Sequence, residues 1–527
     1  MLKFDFLEKR YVRFIFLALS AMLTGICVCY PDLGILQWVS LIPSALVIFS
    51  VADTCKNRLR SVYLYGLFFY MCYFVTVWHW FFVMYPLEFT GMDAGTALLV
   101  VLAAVLGIPL VQSSMFAFVF VIFCKLARGE TAKRIPFLKP FLFAALWVVF
   151  EWTQTLFWFG VPWGRLAIGQ TKLLVTLQSS SVLGSYFVSF LIVAVNALVS
   201  AALLYVSLRK LCALTCAGMF TLNFAFGAVM MLPKKQNEQV TAAAIQGNIS
   251  SVDKWNSSPQ KAYDTYKRLT CEAAESGAQI VVWPESVLLS YSYSTEQVLA
   301  NLAKENEIVL VVGALVTDEE GQKNCMITFY PDGTVAQESY TKRHLVPFGE
   351  YMPWRAFLTA ILPFLSEISI LGRDLIPGEE ASPIDTEHGK MGALVCFDSI
   401  YETLALDSAK SGAELIIIGT NDSWFFDSAG VWMHEAQAKM RAIETGKYVV
   451  RAANTGVSAI ITPQGRVEGE LEPLVEGYVI GDVSFVLNKT VYTYIGNLWV
   501  WLSIGFAAFV AGADITLKIL AKKKLKP

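Results

Sequence analysis

The sequence predicts a multi-span helical membrane domain joined to a single α/β domain. Of its 527 residues, 55% are hydrophobic and only 16% are charged, and the mean hydropathy is +0.52, which is too apolar for an ordinary soluble protein. The apolar residues fill about residues 12–232, thin out, and return near the C-terminus. We therefore expect a membrane domain over 1–232, a globular domain over 233–489, and a final span with a basic tail over 490–527.

Eight apolar segments come close to the roughly twenty residues that a membrane-crossing helix needs. The first follows a basic start and resembles a secretion signal, but no convincing cleavage site comes after it. We expect all eight to be membrane-spanning helices. They are Phe14–Tyr30, Ile35–Val51, Val62–Tyr85, Thr96–Cys124, Phe141–Phe157, Val182–Val206, Leu211–Leu232 and Tyr492–Ala511.

Clusters of Lys and Arg predict the orientation of these spans. They precede the first span and follow the second, fourth, sixth and eighth, whereas the other short loops carry few positive charges, chiefly Arg165 and Lys172. By the positive-inside rule both termini are cytoplasmic and the globular domain is extracytoplasmic. Chemistry on that side has no cytosolic ATP, which favours a reaction driven by an already activated bond.

Charge and cysteine usage exclude several functions. The net charge is −2 and the isoelectric point is near 6.2, so the chain lacks the basic surface that nucleic-acid binding requires. The ten cysteines include no C-x-x-C pair, and seven lie in or beside apolar segments. The three in the globular part, Cys271, Cys325 and Cys396, are poor evidence for a disulfide framework. We predict neither a metal site nor a cofactor.

The globular region alternates short β-branched runs with helix-length segments. Examples of the runs are "VTAAAIQGN", "QIVVWPES", "EIVLVVGAL", "MGALVCFDS", "AELIIIGTND" and "KYVVRAAN". This alternation is typical of a layered α/β or α+β fold. Several runs end on a polar residue, and such strand ends and the loops after them are where layered folds place chemistry.

Three strand ends carry residues that could cooperate in catalysis. They are Glu285 after "VVWP", Lys342 within "SYTKRHLVPFGEY", and Cys396 within "LVCFDS". A thiol reacts as the thiolate; a carboxylate can accept its proton, and a lysine can stabilise the thiolate and a developing oxyanion. The residues alone leave three interpretations open: a structural thiol, a Cys-His pair with His344 or His434, and a Glu-Lys-Cys group.

The order of several motifs resembles that of the carbon-nitrogen hydrolase (nitrilase) superfamily. The motifs are "WPES", "YTKRHLVPFGEYMP", "CFDS", "GTNDSWFFDS" and "RAANTG". The resemblance implies an αββα sandwich with a Glu-Lys-Cys triad. It assigns the general base to Glu285, transition-state stabilisation to Lys342, and the nucleophile to Cys396.

Flanking motifs resemble one branch of that superfamily, the apolipoprotein N-acyltransferases. They are "AIQGNISSVDKW", "LVPFGEYMPW", "NDSWFFDSAG", "QAKMRAIETGKYVVRAANTG" and, in the membrane domain, "FGVPW". The resemblance implies a ping-pong reaction in the bacterial inner membrane. In it Cys396 takes an acyl chain from a phospholipid as a thioester. It then passes the chain to the α-amino group of a lipoprotein's diacylglyceryl-cysteine, the last step of lipoprotein maturation.

One pair of residues departs from this branch. Phe397 and Asp398 stand where the branch leads us to expect Tyr-Glu, so a hydroxyl is lost and the acid is one methylene shorter. The departure concerns handling of the acceptor more than acylation, because the triad is complete. We predict substrate-binding or supporting roles for Trp255, Glu350, Phe397, Asp398, Asn421 and Trp424.

The segment 348–377 is more apolar than a loop of a soluble amidase should be. Pro363 and Glu367 interrupt it before it reaches the length of a span. We expect an interfacial arm that dips into the lipid headgroups; buried core is the alternative.

Two functions other than acyl transfer are alternatives for this sequence. One is a membrane-tethered amidase or nitrilase that hydrolyses an extracytoplasmic C-N bond, which needs neither the apolar arm nor eight spans. The other is a non-catalytic membrane protein that binds lipoproteins, which needs none of the three triad residues.

Overall fold

The computed structural model describes residues 5–54, 58–87, 92–156, 160–233, 238–250, 259–361 and 374–524. The chain divides into two compact units. The first takes Met1–Phe82, Val100–Leu232 and Asn497–Pro527, and the second takes Val83–Leu99 and Pro233–Gly496. The second unit contains the β-strands and continues to Gly496, beyond the boundary expected at 489.

The N-terminal part of the chain is helical. Its helices are α1 (Arg10–Cys29), α2 (Gln37–Ser40), α3 (Ile42–Thr54), α4 (Leu59–Trp78), α5 (Ala94–Ala127), α6 (Glu130–Arg134), α7 (Leu138–Thr153), α8 (Leu174–Leu177), α9 (Ser180–Leu183), α10 (Ser185–Leu204) and α11 (Arg209–Met230). Helix α1 packs against α4, and α10 packs against α7 and α11.

Seven helical segments within the described ranges are long and apolar enough to cross a membrane. They are Arg10–Cys29, Pro31–Thr54, Leu59–Met84, Ala94–Ala127, Ser185–Leu204, Val206–Met230 and Leu498–Lys522. The fifth expected span corresponds to α7, which has 16 residues. A helix of that length rises only about 24 Å, short of the roughly 30 Å of bilayer hydrocarbon. The total of eight spans therefore stays a prediction.

The second unit is built on two six-stranded sheets of described residues. The first sheet has the order β12-β1-β2-β3-β4-β5, and the second has the order β11-β10-β9-β8-β7-β6. The strands are β1 (Gln239–Gln246), β2 (Ile280–Val282), β3 (Val309–Thr317), β4 (Gln322–Phe329), β5 (Tyr340–Thr341), β6 (Ile384–Thr386), β7 (Gly389–Val395), β8 (Leu415–Thr420), β9 (Tyr448–Ala453), β10 (Ser458–Ile461), β11 (Val467–Leu471) and β12 (Gly477–Ser484).

Helices connect these strands and complete the chain. They are α12 (Pro259–Glu275), α13 (Tyr293–Glu305), α14 (Arg355–Ile361), α15 (Glu402–Lys410), α16 (Ala429–Thr445), α17 (Val491–Ile495) and α18 (Leu498–Lys524). The expected last span begins at Tyr492, but that residue lies in the short helix α17. Gly496, at a φ of +54°, separates α17 from the long helix α18.

Alternate residues of the strands face two different layers. On β1, Ala242 and Ala244 belong to the apolar core between the sheets, whereas Ala243 and Ile245 belong to a second core with residues of α12 and α13. This is the period-two pattern of a strand buried on both faces. On the other sheet α15 packs against β7 and α16 against β9. The four layers confirm the predicted αββα sandwich.

The strand directions bring several carboxyl-terminal ends to common sheet edges. In the first sheet β1, β2 and β3 are parallel, and β5 runs the same way because β3-β4 and β4-β5 are antiparallel. In the second sheet β7, β8 and β9 are parallel. The loops after β2 and β5 therefore share one edge, and those after β7 and β8 share another, which is where α/β sheets place their sites.

Candidate active site

The three predicted triad residues each follow a strand. Glu285 comes after β2 and Pro284, Lys342 comes directly after β5, and Cys396 comes directly after β7. All three strands contribute residues to the core between the sheets. The side chains are therefore carried on rigid elements rather than on long loops.

Two glycines allow the backbone at Glu285 to approach its neighbours. A Cβ atom on Gly313 of β3 would lie 2.1 Å from the carbonyl oxygen of Pro284, and one on Gly419 of β8 would lie 3.3 Å from the amide nitrogen of Glu285. Any larger residue at Gly313 would push the Glu285 segment away from β3. Close approach of two backbones explains glycine at Gly313, whereas a Cβ on Gly419 would first meet the Met326 sulfur at 2.7 Å.

Glu285 and Lys342 form a buried ion pair. The Lys342 Nζ donates to Glu285 Oε1 at 2.8 Å, and the two side chains are 1% and 6% exposed. Asn324 on β4 donates its amide to the same Oε1 at 2.8 Å, and the backbone N–H of Asn421 donates to Oε2 at 3.0 Å. A buried carboxylate needs such partners to offset the loss of water.

Glu350 is the second carboxylate on Lys342. Its Oε1 accepts from Lys342 Nζ at 2.8 Å, and its Oε2 accepts from the backbone N–H of Val346 at 2.8 Å. Burial alone would lower the pKa of Lys342, but the charges of Glu285 and Glu350 raise it well above its ordinary value. Burial raises the pKa of Glu350. Lys342 is thus held as an ammonium in reach of two carboxylates.

Cys396 lies at a strained turn. It has a φ of +49° and opens a short 3-10 helix, Cys396–Ile400. A non-glycine residue in this left-handed region costs about 1–2 kcal/mol, and such strain is concentrated at functional sites. Burial raises the pKa of the thiol, the Glu285 carboxylate raises it further, and the Lys342 ammonium opposes both. The thiol therefore needs a base to become a nucleophile at neutral pH.

Asp398 connects the cysteine turn to the lysine segment. It is fully buried. Its Oδ1 accepts from the backbone N–H of His344 at 2.8 Å, and its Oδ2 accepts from the Tyr340 hydroxyl at 2.9 Å and the Val395 N–H at 3.1 Å. Asp398 thus holds in place the residues that flank Lys342 and Cys396. This positioning role explains why an acidic residue stands here. Its neighbour Phe397 packs edge-on against Tyr401, with ring centroids 5.4 Å apart.

The structure describes two of the other three predicted supporting residues, Asn421 and Trp424. The side-chain Oδ1 of Asn421 accepts from Ser423 and Asn454, both at 3.0 Å, so its backbone is held where it reaches Glu285. Trp424 is half-buried in the turn that follows. Trp255 lies outside the described residues.

The histidines considered for a Cys-His pair have other contacts. The His344 ring packs against Tyr401 at a tilt of 35°, with centroids 4.2 Å apart. His434, on α16, places Nδ1 2.8 Å from Asp422 Oδ1 and Nε2 3.2 Å from the carbonyl oxygen of Cys396. The hydrogen-bond contact of His434 with Cys396 is thus made to the backbone carbonyl oxygen.

Asp422 is the centre of a buried polar cluster beneath Cys396. Arg451 on β9 donates to its Oδ2 at 2.8 Å, and Thr420 donates to its Oδ1 at 2.9 Å. Although burial raises the pKa of Asp422, Arg451 and His434 bring it well below the usual range. The donor atoms of Cys396, Asp422 and His434 lie within 4.8 Å of one another, as metal ligands can. Arg451, however, already neutralises the carboxylate.

Sequence reasoning missed Asn324, Asp422 and Arg451. Asn324 is an amide in the fully buried end of β4, "NCMITF", and Arg451 is a charge within the fully buried strand "YVVRAA". A charged or amide residue at a core position of a strand needs a partner. That rule is the signal that could have found both.

The described part of the apolar segment 348–377 exposes large apolar side chains. Phe348, Trp354, Phe357 and Ile361 are each more than two-fifths exposed, and residues 362–373, including Pro363 and Glu367, lie outside the described residues. Exposed aromatic and aliphatic side chains at this density are typical of a surface that meets lipid or protein. Insertion into the lipid headgroups stays a prediction.

The fold and the three strand ends define a carbon-nitrogen hydrolase domain. Residues 241–490 match the family described as carbon-nitrogen hydrolase, and residues 20–198 match the apolipoprotein N-acyltransferase N-terminal domain. Both matches agree with the resemblance stated from the motifs.

Relatives that match most of the chain identify the family more narrowly. An apolipoprotein N-acyltransferase of Geobacter metallireducens is 30% identical over 70% of this chain and 73% of its own length. One from Gloeobacter violaceus is 30% identical over 90% and 88%, and one from Wigglesworthia glossinidia brevipalpis is 25% identical over 92% and 95%. The chain belongs to the apolipoprotein N-acyltransferase family.

The charge of Glu285 gives a first prediction. Replacing Glu285 by Gln removes a negative charge that raises the pKa of the Cys396 thiol, so a larger fraction of Cys396 should be thiolate at any one pH. Iodoacetamide labelling at a fixed pH of about 9, with Cys396 followed by peptide mass spectrometry, should therefore be faster than in the parent. Glu319→Gln, an exposed turn residue, is the matched control. An unchanged or slower rate in Glu285→Gln would contradict the charge arrangement described above.

The connection made by Asp398 gives a second prediction. Asp398→Ala leaves the His344 and Val395 N–H groups and the Tyr340 hydroxyl without their acceptor, which should cost about 1–3 kcal/mol or more of folding free energy. Asp398→Glu adds a methylene to a fully buried site and should cost a similar amount, about 1–3 kcal/mol. Asp407→Ala, whose carboxylate pairs with Arg343 near the surface, should change the melting temperature little. Equal melting temperatures for all three variants would refute the positioning role.

Proposed function

We propose that the chain transfers an acyl chain from a membrane phospholipid, through a thioester on Cys396, to the α-amino group of a lipoprotein's diacylglyceryl-cysteine. The observation that carries the proposal is the buried Glu285-Lys342 pair at one sheet edge with Cys396 at a strained strand end, in a chain of the acyltransferase family. The membrane phospholipid and the lipoprotein are the substrates that the relatives' name and the apolar helices favour.

The first half-reaction makes the thioester. Glu285 accepts the proton of the Cys396 thiol, and the sulfur attacks the carbonyl carbon of the phospholipid ester. Lys342 stabilises the oxyanion, which needs a cation fixed in place before the charge develops. The C–O bond breaks, and the lysophospholipid leaves after taking the proton from Glu285.

The second half-reaction forms the amide. The neutral α-amino group attacks the thioester carbonyl, and Glu285 takes the proton that the nitrogen loses. The C–S bond breaks, and the sulfur leaves as a thiol by taking that proton back from Glu285. Because the ester bond supplies the driving force, the reaction needs no nucleotide, in agreement with an extracytoplasmic site.

A labelled phospholipid tests the thioester. The protein in phospholipid vesicles should form an acyl adduct on the Cys396 peptide that is lost in Cys396→Ala and retained in Cys271→Ala, a half-buried free cysteine on α12. Adding a diacylglyceryl-cysteine peptide should move the label to its amine.

The other outcomes separate the alternatives. No adduct would overturn the proposal. Release of the label as free fatty acid with no amide product, or hydrolysis of small amides, would favour the hydrolase. If Glu285→Gln, Lys342→Ala and Cys396→Ser all complemented a strain lacking the enzyme, the function would be binding rather than catalysis.

We further propose that the chain lies in the bacterial inner membrane with both termini in the cytoplasm and the sheet unit on the extracytoplasmic side. The Lys and Arg clusters support this orientation. A membrane-impermeant thiol reagent should label Glu319→Cys in intact spheroplasts, and should label Lys522→Cys only after permeabilisation. The reverse accessibility would overturn the orientation and leave the acyl-transfer proposal standing.

A further inference from the structure

An open groove lies between helices α10 and α11 of the first unit. The two helices pack against each other, and each belongs to a segment long and apolar enough to cross a membrane. The groove has a volume of about 450 Å³, within the range of ligand-binding pockets. Arg209 is the charged residue of a lining that is otherwise mostly aliphatic or aromatic. The apolar lining includes Val195, Val199 and Leu203 of α10 and Ala213, Ala217 and Phe220 of α11.

The spacing of small residues on α11 produces the groove. Ala213, Ala217 and Phe220 follow Arg209 at intervals of four, four and three residues, so all four lie on one face of the helix. The two alanines are exposed, and their short side chains leave the space beside α10 unfilled. Helix α11 is also peripheral, because only 17% of its apolar stretch is buried, against 78% for α10. The groove is therefore open along its length.

Arg209 places a cation at one end of the groove. Its Nε donates to the carbonyl oxygen of Ala202 at 3.2 Å, which holds the guanidinium beside the end of α10. Lys210 adds a second positive charge, and the first turn of α11 has no acidic residue. No ion pair joins either cation to an acidic side chain within the described ranges.

The acidic residue near this end is already paired. Asp53, at the end of α3, accepts from the hydroxyl of Tyr205 at 2.6 Å and forms an ion pair with Lys139. The N-terminus of a helix carries a partial positive charge, so cations in the first turn of α11 are unfavourable there and an anion is favourable. The N-cap residue, Leu208, supplies no side-chain acceptor. This end of the groove thus attracts an anionic group.

The length of the groove matches one leaflet of a bilayer. From Arg209 to Phe220 the helix rises about 16 Å, close to half of the roughly 30 Å of bilayer hydrocarbon. An acyl chain lying along this face would reach from the interface to the middle of the membrane. The phosphate of the same lipid would then lie at the level of Arg209.

We propose that the α10–α11 groove binds an anionic phospholipid, with one acyl chain along the apolar lining and the phosphate on Arg209. Lys210 adds attraction for a headgroup with a net negative charge, as basic residues beside membrane helices do. In the orientation proposed above, this lipid belongs to the cytoplasmic leaflet. It is therefore a bound lipid distinct from the acyl donor of an extracytoplasmic thiol.

Charge disfavours a second copy of the chain as the occupant. Ala213 and Ala217 are small residues of the kind that let two membrane helices pack closely. A two-fold axis normal to the membrane, however, would bring Arg209 and Lys210 of one copy against the same residues of the other. Like charges at that contact repel each other, whereas a phosphate neutralises them.

Photocrosslinking tests the site. The full chain is placed in phosphatidylcholine vesicles that contain a trace of phosphatidylglycerol or phosphatidylcholine carrying a diazirine in one acyl chain, and labelled peptides are located by mass spectrometry. The phosphatidylglycerol probe should label the peptides of α10 and α11 about fivefold more than the phosphatidylcholine probe, the ratio expected for one cation. Arg209→Gln should abolish this difference and Arg209→Lys should retain it. Arg60→Gln, an exposed arginine in the first turn of α4, is the matched control and should change nothing.

A second variant tests the apolar part of the groove. Ala217→Phe fills the space beside α10 without changing charge, so labelling by the phosphatidylglycerol probe should fall to that of the phosphatidylcholine probe. Equal labelling by the two probes in the parent, or an unchanged ratio in Arg209→Gln, would overturn the proposal. Crosslinks between two copies of α11 would instead assign the groove to a second copy. No acyl transfer is measured, so failure here leaves the acyl-transfer proposal standing.

Discussion

A lysine ammonium buried between two carboxylates holds the candidate active site together. Lys342 is 2.8 Å from both Glu285 and Glu350 and is almost inaccessible to water. Removing one partner of such a group leaves an uncompensated buried charge, which typically costs about 3–5 kcal/mol. The three residues follow different strands or turns of the first sheet, so their mutual attraction also sets the shape of that sheet edge.

Cys396, the proposed nucleophile, belongs to the other sheet, and contacts between the sheets connect its strand end to the pair. Asp398, beside Cys396, accepts hydrogen bonds from the segment that carries Lys342. The Asn421 amide, after β8, donates to Glu285. The apolar core between the sheets buries residues of β1, β2 and β3 against residues of β7, β8 and β9. The proposed catalytic group is thus a product of sheet packing, and neither sheet contains it alone.

The electrostatics favour a thiol that stays protonated until it is used. Burial and Glu285 raise the pKa of Cys396, whereas Lys342 lowers it. A neutral thiol is a weak nucleophile and resists oxidation, which suits the extracytoplasmic position proposed for Cys396. Glu285 disfavours the thiolate by its charge and is also the proposed proton acceptor, so in the proposed reaction deprotonation of the thiol neutralises the carboxylate and removes that penalty.

The sequence by itself determined the membrane helices, the layered class of the sheet unit and the three strand ends that carry Glu285, Lys342 and Cys396. These depend on local signals: apolar runs, β-branched runs and the polar residue that ends each run. Only the tertiary structure decided that α7 is 16 residues long, that the sheet unit extends to Gly496, and what Asp398 does. The same holds for the polar cluster, since Arg451 and His434 meet Asp422 across 29 and 12 residues of chain. Periodicity is read within one segment, whereas the partner of a buried polar group is chosen by how strands and helices pack.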